Sequence, residues 1–335
     1  MIKPILGVDV ETVGLYGELL GFCLYNDSTQ LTFSKEQAEE SRPLIQDLFD
    51  NHTLVAHQAK YEARILRREG FRYEIGHDTK LMAYLLNPLA PTSLDEVAHR
   101  YLKRRKNTIS QDKKNLSWNQ ETIDYCMVDT ELTYRLATVL LNELVQVENQ
   151  HLWYIKYERP YIDVIMEMEG TGLVIDAQAT KQAAHLFTER LSAALVDVQA
   201  QAPLVRGPEK IYARKTEEGC GYYARDGMVT YDHCSLEPFN PASSHHIVEV
   251  LKGYGWVPKK FTEKGFPATD ADTLKELDYP IIKPILVYKD YQKAVGTYLN
   301  AFLEHSKPLS EQYSVLFGTF SQTGTITGRL SSSSP

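Results

Sequence analysis

The chain has 335 residues, 43% of them hydrophobic and 24% charged, with 36 Lys and Arg against 44 Asp and Glu and a net charge of −8. That is enough chain for about two domains with ordinary cores, and it excludes a disordered tail or a generic nucleic-acid-coating protein. No apolar run approaches the roughly 18 residues of a membrane span, no signal peptide is legible at Met-Ile-Lys-Pro, and the 4 cysteines lack framework spacing and suit a reducing cytoplasm.

Residues 4–10, 18–25 and 29–33 read as short strands, with Gly14, Gly17 and Asn26-Asp27 marking turns. A helix over 36–50, a buried strand at 53–57 and a helix over 58–69 follow, the last closed by Gly70. A short strand near 73–77 leads into a helix that Asn87-Pro88 stops after Leu86. Ser93-Leu94-Asp95-Glu96 makes a good helix start. Residues 119–148 carry Ile123, Met127, Leu132, Leu136, Leu140 and Leu144 at helical spacing. Strands first, then alternating helix and strand, predict an α/β unit with a mixed sheet of ribonuclease H-like layering. The missing Gly-rich phosphate loop argues against a nucleotide-binding fold of the Walker or Rossmann type.

From about residue 150 the pattern becomes mainly α. Residues 152–170 read as helical, Glu169 to Asp176 as a turn and short extended piece, and 177–201 as a long helix. Residues 203–238, rich in Gly, Tyr and charge, read as an irregular or hairpin insertion, and helices dominate 243–305. Residues 306–335 are expected to be poorly ordered or to depend on a partner.

Asp9 and Glu11 are two apart at the end of the first strand, so they point to one side and can chelate or bridge hard divalent cations. Glu62 follows in the next helix, and Tyr125 and Asp129, four apart, share a face of the helix over 119–148. Four carboxylates and a phenol suit a two-metal phosphodiesterase using Mg2+ or Mn2+. One ion would acidify a water, the second would stabilise the leaving 3′-oxygen, and the tyrosine would orient the water without being its base. Lys103-Arg104-Arg105-Lys106 with Lys113-Lys114 reads first as a solvated loop and second as a DNA contact. Cys220 and Cys234, with His233, His245 and His246 nearby, lack a paired C-x-x-C, so zinc is not expected.

Gly7 to Thr12, His57 to Glu62 and Tyr125 to Asp129 resemble motifs I, II and III of the proofreading 3′–5′ exonuclease domain of family A DNA polymerases, a DEDD exonuclease of the tyrosine subtype. His77 to Pro88 looks like the segment between motifs II and III. Phe239 to Ser244, Gly265 to Thr269, Ile285 to Lys289, Lys293 and Thr297-Tyr298 resemble stretches of the polymerase thumb. Phe320-Ser321-Gln322 with Thr325 to Ser332 resembles the signature where the thumb re-enters the palm. The resemblance covers nearly the whole chain and is weakest at 203–238.

The resemblance implies a ribonuclease H-like exonuclease domain over 1–148 and a mainly α, thumb-like region with the start of a palm over 149–335. It implies that Asp9 and Glu11 hold a metal pair, that Glu62 reaches the second metal, that Asp129 holds the hydrolytic one and that Tyr125 orients water. Leu15 would wedge against the terminal base, with Gln58 and Tyr61 as further substrate contacts. Lys289, Lys293 and Arg329 would meet phosphates. Glu62 departs from the family, which has aspartate there, and Gln58 stands where the family has asparagine. The two palm aspartates of the family would fall beyond Pro335, so no polymerisation is expected from this chain alone. It would be part of a longer polypeptide or the product of a split gene of phage type, completed by a palm-fingers chain.

The function so implied is removal of nucleoside 5′-monophosphates from single-stranded or frayed DNA 3′ ends, and contact with primer-template duplex. The expected location is the cytoplasm of a bacterial or phage-infected cell, with no membrane partner. The alternative is a nuclease-weak subunit that docks a palm-fingers chain and clamps DNA. An RNA-trimming enzyme of the same class ranks third, because it leaves the thumb-like half unexplained.

Overall fold

The computed structural model describes residues 3–14, 17–110, 116–206, 222–225, 228–231 and 236–333. Leu15, Lys113, Lys114, Cys220, His233 and Cys234, all singled out above, lie outside the described residues. The chain divides into two compact units, Met1–Gly172 with Phe317–Ser334, and Leu173–Leu316.

The first unit begins with β1 (Ile5–Thr12), β2 (Leu19–Asn26) and β3 (Thr29–Ser34), then α1 (Lys35–Glu40), α2 (Arg42–Asn51), β4 (Thr53–Ala56) and α3 (Ala59–Arg68). It continues with β5 (His77–Asp78), α4 (Thr79–Leu86), α5 (Leu94–Leu102) and α6 (Gln120–Gln146). The sheet order is β3-β2-β1-β4-β5. β1, β2 and β3 are antiparallel, while β4 runs parallel to both β1 and β5. This is the mixed sheet expected of a ribonuclease H-like layer.

Two local readings change. The helix expected over 36–50 breaks at Ser41, and Pro43 sits in the first turn of α2, where its missing N–H costs nothing. The strand expected at 73–77 shrinks to His77 and Asp78, paired with Val55 and Ala56.

β1 alternates as a half-buried strand should: Val8, Val10 and Thr12 are buried while Asp9 and Glu11 are only partly so. α6 packs against it without space for a side chain at Gly7. A Cβ there would meet the Thr130 carbonyl oxygen at 2.8 Å and Tyr134 Cβ at 3.1 Å. At Gly21, the Trp118 ring takes the same kind of space, 2.5 Å from where a Cβ would stand. Phe22, Leu24, Ile45, Leu66, Met82, Leu132 and Leu136 fill the core.

α7 (Gln150–Trp153), a π-helical stretch at Tyr154–Glu158 and α8 (Arg159–Thr171) make one continuous run. It packs with the first unit, which as a compact body runs to Gly172. Tyr154 and Ile162 are buried in the first core, and the Tyr154 hydroxyl accepts the Asp78 N–H at 3.0 Å.

In the second unit, β6 (Leu173–Asp176) leads to α9 (Ala177–Gln201), whose start is capped by Asp176 accepting the Ala179 N–H. β7 (Leu204–Arg206) pairs with β10 (Leu236–Pro238), and β8 (Tyr222–Arg225) forms a hairpin with β9 (Met228–Tyr231). α10 (Ser244–Gly253), α11 (Ala271–Lys275), α12 (Ile282–Lys293), a second π-helical stretch at Ala294–Asn300 and α13 (Ala301–His305) follow. Val198, Phe239, Ile247, Leu251, Leu274 and Ile285 form this unit's core.

The expectation that 306–335 lacks order without a partner is corrected for the described residues, because the sheet partners come from this chain. β11 (Lys307–Pro308) pairs with β12 (Tyr313–Leu316), which pairs with β6. β13 (Thr319–Ser321) pairs with β14 (Ser331–Ser333) in the first unit. There Glu169, 6% exposed, accepts from Lys60, Arg64 and the Phe320 main-chain N–H, which fastens this hairpin to α3 and α8.

Candidate active site

β1, α3 and α6 bring Asp9 and Glu11, Glu62, and Asp129 within electrostatic reach of one another. Burial raises the Asp9 carboxyl well above the ordinary carboxylate value, and the charges of Glu11, Asp129 and Glu62 push it further. Burial also raises Glu62, followed by the charges of Asp78 and Glu11. Glu62 is 3% exposed, and its Oε2 is buried without a hydrogen-bond partner among the described residues. Crowded, desolvated carboxylates of this kind favour either a shared proton or a bound cation.

Asp9, Glu11 and Cys126 can offer ligand atoms within 4.8 Å of one another. The Cys126 thiol, however, donates to the Asp9 main-chain carbonyl at 3.4 Å, and burial holds it protonated. What remains is an all-oxygen donor set, which fits hard divalent cations such as Mg2+ and Mn2+. The Cys126–Asp9 bond also ties α6 to β1 beside the acids.

Tyr125 and Asp129 share a face of α6, as their spacing predicts. Both are bonded by Lys106, whose ammonium donates to Tyr125 Oη at 2.5 Å and to Asp129 Oδ2 at 2.6 Å. Burial and the Asp129 charge push the Tyr125 hydroxyl up to about 12, so it stays protonated at neutral pH. Burial works against the Lys106 charge, but the Asp129 charge and hydrogen bond, with help from Tyr125, outweigh it and hold its pKa above the ordinary lysine value. In the sequence, Lys106 ends the basic run Lys103-Arg104-Arg105-Lys106, which reads as a solvated loop. No local pattern marks a loop lysine that turns inward.

Asp78 is the second residue that the sequence reading did not assign to the site. Its carboxylate accepts the N–H groups of Gln58 at 3.3 Å, Ala59 at 2.9 Å and Leu81 at 3.0 Å, capping α4 and holding the start of α3. Gln58 adopts a left-handed backbone, φ 91°, and its side chain accepts from Lys80 at 2.8 Å. These bonds fix the turn that aims Glu62. An acid directly before Thr79 and the helix beyond was the legible signal for this cap.

Tyr61 meets Thr12 at 2.5 Å, and because the Thr12 hydroxyl donates to the Gly14 carbonyl, Tyr61 is the donor. Motifs I and II are thereby joined at the mouth of β1. His57 is clamped between Thr79 Oγ1 at 2.8 Å and the Thr92 carbonyl at 2.9 Å. Burial pushes it down to about 3, so it is neutral and structural.

Arg329 is exposed in the turn of the β13–β14 hairpin. Lys289 and Lys293 belong to α12 in the second unit. Lys289 donates to the Thr269 carbonyl at 2.9 Å and burial lowers its pKa, while Lys293 is exposed. Among the described residues no helix is long and apolar enough to cross a membrane.

Residues 2–145 match the family model described as 3′–5′ exonuclease, and residues 225–335 match that of DNA polymerase family A. DNA polymerase I of Chloroflexus aurantiacus is 27% identical over 299 residues, covering 84% of this chain and 28% of that protein. The DNA polymerase of Escherichia phage T5 is 26% identical over 375 residues, covering 99% of this chain and 40% of that one. The chain thus spans between about a quarter and two fifths of the length of such relatives. In fold, it is similar to the POL domain of Pol1 from M. smegmatis in complex with DNA primer-template and dNTP. The TM-score is 0.72 and the identity 20%, over 98% of this chain and 51% of that one. The chain is thus similar to the 3′–5′ exonuclease family over residues 2–145 and to DNA polymerase family A over residues 225–335.

Proposed function

We propose that the first unit is a two-metal 3′–5′ exonuclease of the DEDD type, tyrosine subtype, proofreading for family A DNA synthesis. The observation that carries the reading is the mutual electrostatic strain of Asp9, Glu11, Glu62 and Asp129 in a partly desolvated, all-oxygen cluster. Those four carboxylates would hold Mg2+ or Mn2+. What such cations would supply, when bound, is an acidified water and neutralisation of the charge that develops on the phosphate.

The chain's own residues do the rest. Tyr125, kept protonated, donates a hydrogen bond to the attacking water and so orients it without taking its proton. Asp78 and the left-handed Gln58 hold the helix start from which Glu62 reaches the site. Tyr61 and Gln58, with Leu15, would border the terminal nucleotide, which must leave its duplex to reach the acids. The substrate is a single-stranded or frayed DNA 3′ end, and the primer-template in the M. smegmatis complex supports duplex DNA as the wider partner. Lys289, Lys293 and Arg329 are the candidate contacts to that duplex.

The reading is tested with a 3′-labelled single strand in Mg2+. The label should leave as a nucleoside 5′-monophosphate with wild type and stay on the strand with Asp129→Ala. Release of internal oligonucleotides, or equal release by Asp129→Ala, would overturn it.

A further inference from the structure

We propose that Lys106 is a positioning residue of the exonuclease centre, fixing the Tyr125 hydroxyl and the Asp129 carboxylate for attack by water. The inference rests on the exonuclease reading above. In the basic run that follows α5, Arg104 pairs with Glu131, Arg105 pairs with Asp95 and Glu96, and the Lys103 ammonium donates to the Arg100 carbonyl. Lys106 turns inward instead. Its main-chain N–H donates to Asp95 Oδ1 at 3.0 Å, which draws the chain back toward the start of α5. Its ammonium then reaches both α6 side chains and stands 4.5 Å from the Tyr125 ring centroid.

The chemistry follows from what each group can give. An ammonium has three donors and no acceptor, so the Tyr125 oxygen must accept from it. The phenol proton is therefore aimed away from Lys106 and serves as a donor toward a neighbouring water. A carboxylate bonded through one oxygen keeps one rotamer and presents its other oxygen in a fixed direction. Lys106 is not needed to hold α6 in place, because the Gly7 contact and the Cys126–Asp9 bond already do so. Its side chain is 26% exposed, against 6% for Asp129, so it closes the site from the solvent side.

The test compares the whole chain as wild type, Lys106→Met, Lys106→Arg and Asp9→Ala. Steady-state cleavage of 5′-labelled single-stranded DNA is read in Mg2+, Mn2+ binding is read by calorimetry without DNA, and circular dichroism checks the fold. Lys106→Met should lower kcat by about ten- to a hundredfold, the cost of losing orientation at a reacting centre. KM should stay within about twofold and the Mn2+ dissociation constant within about threefold, and Lys106→Arg should recover most of the rate. Should the Met variant unfold, Lys106→Gln carries the same expectation. Unchanged kcat, or a loss confined to KM, would overturn the proposal. So would tighter Mn2+ binding at unchanged kcat, which would make the ammonium a mere occupant of the cation's place. Wild-type cleavage that Asp9→Ala leaves intact would overturn the exonuclease reading itself, and this inference with it.

Discussion

Replacing Gly7 by alanine tests how the fold delivers chemistry to the site. The new Cβ would lie 2.8 Å from the Thr130 carbonyl oxygen, 3.1 Å from Tyr134 Cβ and 3.3 Å from the Tyr25 carbonyl oxygen. Two of these are backbone atoms that no rotamer change can move. Ordinary contact begins near 3.4 Å, so α6 must retreat from β1 by roughly half an ångström or more. Overpacking of this kind costs about 1–3 kcal/mol, which for a unit of this size lowers its melting temperature by about 2–4 °C per kcal/mol. Asp129 precedes Thr130 on the same helix, so it moves with the displaced turn. Misplacement on this scale at a reacting centre costs up to about a hundredfold in rate. Thermal unfolding and exonuclease kcat are measured on wild type and Gly7→Ala side by side. A variant with wild-type stability and wild-type kcat would refute the claim that close packing at Gly7 sets the position of Asp129.

Three further predictions follow from the same residues. Glu62→Asp shortens the side chain by one methylene, about 1.5 Å, at a buried position with no other bond to Oε2 among the described residues. The ratio of Mg2+- to Mn2+-supported cleavage should therefore change, and an unchanged ratio would mean that the reach of Glu62 is not set for a cation. Asp9→Asn should abolish cleavage yet stabilise the metal-free chain by about 1 kcal/mol, because burial and three acidic neighbours disfavour its charge. A melting temperature in EDTA that does not rise would contradict this. For pH, the folded chain keeps His57 and His77 neutral down to about 3 and about 4, while the unfolded chain takes up protons below about 6.5. Their contribution is full above pH 6.5 and is lost as pH falls toward 4, at up to about 1.4 kcal/mol per pH unit for each histidine. Denaturant titrations from pH 7 to 4.5 should show a shallower acid slope for His57→Gln than for wild type, and equal slopes would refute the assignment.

Much of the architecture was legible because it is local. The alternation of β1 shows in Val8-Asp9-Val10-Glu11, and the apolar stripe of Ile123, Leu132, Leu136 and Leu140 marks α6. Asp176 announces the start of α9, which spans Ala177–Gln201 as expected. The pairing of β12 with β6 was not legible, since it joins two four-residue segments far apart in sequence and nothing local names the partner of either. The π-helical stretch at Tyr154–Glu158 has no sequence signature distinct from an α-helix.

Within the site, spacing exposed the four acids and Tyr125 because each sits in a regular element with a fixed side-chain direction. Lys106 stayed hidden. It lies in a loop, among neighbours that do pair at the surface, and its inward turn depends on Asp95, eleven residues earlier. Gly7 was visible in the motif, but the reason for a glycine there is the backbone of α6, which a single sequence does not display.

The most direct test of the account is the initial rate of 3′-end shortening of a 5′-labelled single strand by the purified chain in Mg2+, beside Asp9→Ala. The account predicts a ladder that shortens one nucleotide at a time, requires the added cation and disappears in the variant. A folded wild-type chain that leaves the strand intact, or a variant that still degrades it, would contradict the claim that these four acids form an exonuclease centre.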